Sequence, residues 1–241
     1  MYTPRIMKHI ATLMSSFVLG LAATLSFAGC GTGGNDDQTN LRFINAVAGV
    51  ESIDLFIDGD MWFEDQGYLM SSGYFNFDTE EHLFQVVPSN SLTPIDNLVA
   101  ALQDDQDYTY IAVGTSLDGD ALMLKDNNER AGTGSFKLRM IVAIESSTPM
   151  NVYVLASSQS VNSVAPTAQN LRYRSVTQYF SGRSGTYNII VTNAITGQVL
   201  GSLPDQAFNE TDVYTLVLAQ NGSTVKPVYP LLLNDSESNN D

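Results

Sequence analysis

The chain has 241 residues, with 26 acidic and 11 basic side chains, two histidines and one cysteine. Its 44% of apolar residues is enough for ordinary cores, which argues against a globally disordered chain. A net charge of -15 argues against nucleic acid as a partner, and Cys30 with only His9 and His82 cannot supply a His/Cys zinc site or a structural disulfide.

Arg5, Lys8 and His9 make a short basic start, followed by an uncharged run from Ile10 to Phe27 and then Ala28-Gly29-Cys30. A basic start, an apolar stretch and small residues at the cut describe a secretory signal over residues 1–29. The run just reaches the roughly 18 residues of a membrane helix, but Ser, Thr and Ala dilute it. It is also followed by Gly31-Thr32-Gly33-Gly34 rather than by basic anchors. The segment resembles a bacterial lipoprotein signal, with Phe27 where Leu is usual. The resemblance implies cleavage before Cys30, lipidation of Cys30 (palmitate among the acyl groups) and residence in the bacterial cell envelope. Gly31 rather than Asp after the cysteine implies sorting to the outer membrane, facing periplasm or surface. Residues 30–40 then form the lipidated cysteine and a flexible tether, and the mature chain keeps 26 acids against 9 bases.

From residue 41 the pattern is one of short β-rich runs broken by Gly, Asn, Asp and Pro, with no apolar stripe long enough for a core helix. The pattern also repeats. Leu41–Val47 (LRFINAV) is answered at an offset of 97 by Leu138–Ile144 (LRMIVAI), and Ile53–Ile57 by Met150–Val154. Tyr74-Phe75 is answered by Tyr179-Phe180, Leu83–Val87 by Tyr187–Val191, and Asp107–Val113 by Asp212–Leu218. Asp118-Gly119 and Asn221-Gly222 suit tight turns at matching places. In Ile53–Asp58, alternation predicts one core face (Ile53, Leu55, Ile57) and one wet face (Asp54, Phe56, Asp58). The expected fold class is therefore all-β, with two antiparallel β-sandwich (immunoglobulin/transthyretin-like) domains in tandem. The first spans 41–130, the second 131–233, and residues 234–241 form a disordered polar tail. A single continuous sandwich is the alternative.

The opening LRFINAVAGVESIDLFIDGD (residues 41–60) is similar to the start of the domain-of-unknown-function family numbered 4397. Asp54, Phe56, Asp58 and Gly59 fit its strand pattern, with Phe56 in place of the usual Tyr. DYTYIAVGT (107–115) and DGDALMLKD (118–126) look like its late strands, while the second half matches more weakly. The resemblance implies exported, often repeated β-sandwich domains on envelope proteins, with no established activity.

Charge is uneven. Residues 31–130 carry 19 acids against 3 bases, and residues 131–241 carry 7 against 6. Asp118, Asp120 and Asp126, with Asn127 and Glu129, offer oxygens for Ca2+, but without the order of a calcium-binding loop. Acidic turns that keep a surface soluble are the simpler reading. Trp62, Phe63 and Tyr68 sit in a segment poor in alternation and could anchor a partner peptide or glycan, or close one end of a sandwich. His82 is expected to face solvent or a loop. Arg172, Arg174 and Arg183 are expected to meet the acidic first half, with a phosphate on the membrane surface as the alternative. No serine-nucleophile or phosphate-loop motif occurs. The expected protein is a non-catalytic, lipid-anchored envelope protein with a structural or protein-interaction role, whose partners are the membrane and an envelope protein or glycan. A ligand-binding module using Ca2+ or a glycan comes second, and a hydrolase with a carboxylate pair third.

Overall fold

A computed structural model describes residues 38–146 and 148–236. The expected signal, Cys30 and most of the tether lie outside the described residues, as do residues 237–241. The described chain is all-β. Its first half runs through β1 (Gln38–Ala48), β2 (Ser52–Ile57), β3 (Asp60–Gly67), β4 (Ser71–Asp78), β5 (Glu81–Pro88), β6 (Asp96–Ala101), β7 (Asp107–Thr115) and β8 (Gly119–Lys125). The second half follows with β9 (Ser135–Val142), β10 (Met150–Ala156), β11 (Ala168–Leu171), β12 (Phe180–Arg183), β13 (Gly185–Asn193), β14 (Val199–Phe208), β15 (Val213–Gln220) and β16 (Val228–Asn234).

The first half forms sheets β4-β1-β7-β8 and β3-β2-β5-β6, and the second forms β12-β9-β15-β16 and β11-β10-β13-β14. Adding eight to every strand number turns one sandwich into the other, so the sequence echo is a repeat of topology. One feature departs from the antiparallel expectation: β1 pairs parallel with β7 from Asn40↔Asp107 to Ala48↔Thr115, and β9 pairs parallel with β15. After β1 the chain passes through β2 and β3 of the opposite sheet, returns as β4 antiparallel to one side of β1, crosses again for β5 and β6, and enters as β7 on the other side, parallel to β1. Alternation records which face a side chain takes, not the direction of its strand.

In β2, Ile53, Leu55 and Ile57 enter the core as expected. Asp54 lies on the other face but is only 7% exposed, because the N–H of Asp65 and the hydroxyl of Ser89 both donate to Oδ1. β1 carries Leu41, Phe43 and Val47 into the first core, and β9 carries Phe136, Leu138, Met140 and Val142 into the second. The alternate residues are buried as well. Ile44, Ala46, Ile111 and Val113 from the first sandwich pack with Ile141, Ala143, Val217 and Ala219 from the second. Sheet β4-β1-β7-β8 is thus covered on both faces, giving four sheets in a stack. Each Ile or Val so buried contributes roughly 1.5–3 kcal/mol. The two sandwiches are joined between β8 and β9, and residues 36–241 form one compact unit.

Each sandwich has a tyrosine near the start of its late parallel strand. The Tyr108 hydroxyl accepts a hydrogen bond from the Gln103 N–H at 3.1 Å, and the Tyr214 hydroxyl accepts from the Asn209 N–H at 2.9 Å, each from five residues upstream. This is the corner that pins the turn entering a sandwich strand. Residues 234–236, where a polar tail is expected to open, belong to the fold. β16 includes Asn234, Asp235 is fully buried, and Ser236 accepts the Val213 N–H on its hydroxyl. An ion pair overrides the polar local composition, as described next.

Candidate functional site

Six deeply buried polar side chains of the described residues converge between the two sandwiches. Arg42 of β1 and Arg139 of β9 point away from their own cores into the shared layer, and both are only 2% exposed. Arg42 Nη1 lies 2.7 Å from Asp235 Oδ1, and its Nε and Nη2 donate to Thr109 Oγ1 at 3.2 and 2.9 Å. Arg139 Nη2 lies 2.5 Å from Asp126 Oδ1, and its Nε donates to Thr215 Oγ1 at 2.9 Å. The arginine of each sandwich therefore pairs with the aspartate that follows the last strand of the other.

The carboxylates are closed off from within. Asp126 Oδ2 accepts the hydroxyls of Tyr74 and Thr109, each at 2.6 Å, and Asp235 Oδ2 accepts that of Thr215 at 2.5 Å. Asp126 Oδ1 receives no well-aligned hydrogen bond, so its contact with Arg139 is an ion pair by distance alone. The guanidinium of Arg42 lies 4.6 Å over the Tyr74 ring, and that of Arg139 lies 5.1 Å over the Tyr179 ring. Burial pulls the Arg42 guanidinium down, but the carboxylates of Asp235 and Asp126 outweigh it and hold the group above its ordinary range. Arg139 is likewise raised against burial by the carboxylates of Asp126 and Asp235. Burial raises Tyr74 and Tyr179 strongly, so both remain neutral.

Chemically this is a clamp. A buried ion pair adds little net stability over an apolar replacement, but losing one partner strands a charge. It therefore fixes which faces meet. The rim adds Tyr68, whose hydroxyl donates to the Gln220 carbonyl at 2.7 Å, the Gly114 N–H, which donates to the Ala143 carbonyl at 3.1 Å, and Arg174, 2.5 Å from Asp120. Of the three arginines expected to meet the acidic first half, Arg174 does so.

The structure separates the sequence candidates. Asp126 follows the end of β8 and is consumed in the clamp, whereas Asp118 and Asp120 lie at the strand's other end, roughly 20 Å away at the rise of a strand. Asp120 is held by Arg174. Among the described residues no group of three or more His, Cys, Asp or Glu is placed to hold a metal. Trp62 and Phe63 lie in strand β3, and Tyr68 directly follows it. The strand's alternation is hidden because the β2–β3 register shifts twice and Asp65 adopts a φ of 54°. Phe63 turns inward onto Phe43 and Phe75, and Tyr68 belongs to the clamp rim. Only Trp62 of the three is open, at 45% exposure, stacked on Phe75 and edge-on to Phe77. The His82 side chain is 11% exposed rather than solvated, with Nδ1 2.6 Å from Asp58 Oδ2 and its ring against Phe77. That hydrogen bond, with the Leu83 N–H, holds the Asp58 carboxyl below its usual range.

A polar cleft of about 570 Å3 opens beside the clamp at one end of the first sandwich, lined by Asn40, Asp105, Gln106, Asp107, Asn128 and Glu129 among others. Asp107 is held there by amide N–H groups of Asn40 and Asn128, each at 2.8 Å.

Fold and clamp together define a tandem all-β protein of two eight-stranded sandwiches joined face to face. Residues 39–153 match the family described as "Domain of unknown function (DUF4397)", which bears out the resemblance read from residues 41–60 and 107–126. The match covers the first sandwich and continues through β9 into β10. No curated protein matches the chain. Among solved structures, it is similar to a carbohydrate-binding module of family CBM26 from Eubacterium rectale in complex with maltoheptaose. That likeness is at 7% identity over 81% of this chain and 96% of the other, with a TM-score of 0.25. A candidate adhesin from Bacteroides ovatus matches at 9% identity over 80% and 94%, with a TM-score of 0.21.

Proposed function

We propose that the chain is a non-catalytic, lipid-anchored protein of a bacterial cell envelope, whose clamped sandwiches form a rigid body with a structural or protein-interaction role. The supporting observation is where the polar chemistry goes. Arg42, Arg139, Asp126, Asp235, Thr109 and Thr215 are taken up with one another between the sandwiches, and none is more than 5% exposed. Four stacked sheets held this way suit a protein that bears load or presents surfaces. The basic start, the apolar run and Ala28-Gly29-Cys30 support the anchor, and Gly31 supports the outer membrane as its site. Metabolic labelling with a fatty acid tests this: wild type takes the label and Cys30→Ala does not. An unlabelled wild type, or equal labelling of the variant, overturns the anchor.

A second reading, a module that binds a glycan, is supported by the polar cleft lined by Asn40, Gln106, Asp107 and Asn128. Calorimetric titration with a panel of soluble glycans, and with Ca2+ alone, separates the two. Saturable glycan binding that is lost in Asp107→Asn supports the second reading, and the absence of any saturable binding overturns it.

A further inference from the structure

The contact between the sandwiches has the form of a symmetric dimer interface written into one chain. Arg42, Tyr74, Thr109 and Asp126 of the first half have their counterparts in Arg139, Tyr179, Thr215 and Asp235 of the second. Each arginine takes the other half's aspartate, which is the reciprocity of an isologous contact. The likeness reaches the rim. Leu69 and Arg174 both adopt left-handed backbone, at φ 62° and 64°, and their N–H groups donate to the carbonyls of Asn45 and Val142. Nothing in such a contact requires both halves to come from the same chain. We propose that the inter-sandwich face takes a second copy of this chain as its partner, by exchange. The first sandwich of one copy docks on the second sandwich of the other, and the reverse, across the connection 127–134.

Two observations select first-on-second docking over like-on-like. The Arg174–Asp120 pair forms only when a first sandwich meets a second. Between two first sandwiches Leu69 would replace Arg174, and between two second sandwiches Tyr229, which is placed opposite Ala219 as Asp120 is opposite Val113, would replace Asp120. Charge acts in the same direction. Two regions of 19 acids against 3 bases repel, whereas one of them facing 7 acids against 6 bases does not. A short connection gives an effective concentration on the order of millimolar, so a dilute chain closes on itself. Exchange wins when chains are crowded or when closure within the chain is penalised.

The test uses the chain from Gly31 onward, which contains the whole compact unit. Arg42→Asp and Asp235→Arg are made singly and together in one chain. Each single variant should melt below wild type and remain monomeric. Unfolded and refolded together, the two singles should give a species of twice the monomer mass by light scattering, because one junction then carries the reversed pair and the other the native pair. The double variant should stay monomeric. A mixture that stays monomeric while the double variant recovers wild-type melting overturns the proposal. A second measurement needs no charge reversal in the core. Wild-type chains bearing two different tags are refolded together at high concentration, and joint elution of both tags on a dimer is expected. Tags that never elute together also overturn the proposal.

Discussion

Arg42 and Asp235 stand 193 positions apart in the sequence and 2.7 Å apart in the fold, at 2% and 0% exposure. Removing either one leaves the other charge buried without its partner. Arg42→Ala and Asp235→Ala should each lower the unfolding free energy by about 3–5 kcal/mol, and Arg42→Met with Asp235→Leu should recover most of that loss. Urea titration followed by circular dichroism measures both, and single-variant losses below about 1 kcal/mol would show that the pair is solvated.

Three buried tyrosines should respond differently to loss of the hydroxyl. Tyr108→Phe and Tyr214→Phe forfeit the corner bonds to Gln103 and Asn209 and should cost about 0.5–1.5 kcal/mol each. The Tyr110 hydroxyl is buried with no hydrogen-bond partner, so Tyr110→Phe should be neutral or stabilising by about 1 kcal/mol. A loss for Tyr110→Phe as large as for the corner variants would mean that its hydroxyl finds a partner in solution.

Gly114 sits where β7 meets the second sandwich, with a φ of 92°. A Cβ there would come within 2.4 Å of the Tyr173 hydroxyl and 2.5 Å of the Asp118 carbonyl oxygen. Gly114→Ala should destabilise by about 1–3 kcal/mol. Gly132→Ala, where a Cβ meets nothing within 4 Å, is the control and should be near neutral. Equal melting points for the two variants would contradict the close approach.

Alkali should weaken the fold. Burial, with Asp120, pushes the Tyr173 hydroxyl up to about 12, and burial carries Tyr74, Tyr110 and Tyr179 higher still. The unfolded chain releases these protons near pH 10 while the folded chain keeps them. The stability they contribute is therefore complete below about pH 10 and is lost as pH rises above it. Urea midpoints across pH 8 to 11 should fall, with tyrosinate absorbance from these residues appearing only on unfolding. Flat midpoints would show that the hydroxyls ionise in place.

Much of the fold was legible because repetition and alternation are local properties. LRFINAV and LRMIVAI lead to β1 and β9, and Ile53, Leu55 and Ile57 lie on the face that alternation gives them. The clamp left a trace in the same echo. Arg42 and Arg139 are the second residues of those two apolar runs, a charge repeated where a buried strand should have none. Their partners were hidden. Asp126 sits among Lys125, Asn127 and Asn128, and Asp235 among Asn234, Ser236 and Glu237, so local composition assigns both to surface turns or a tail. The pairing runs between copies of the repeat rather than within one, and no short-range pattern encodes it. The direction of β1 against β7 was out of reach for a related reason, since two strands 67 residues apart leave no turn between them to read.

The clamp also sets an order in time. Arg42 lies on the first strand of the fold, while its aspartate follows the last, so synthesis of nearly the whole body separates the two. Until β16 is present, a nascent first sandwich has a guanidinium with no aspartate and an apolar layer with nothing to cover it. Contacts this distant in sequence close late and slowly. A chain cut short before Asp235 lacks the partner of Arg42, so closure of the layer between the sandwiches depends on the last part of the fold to be made.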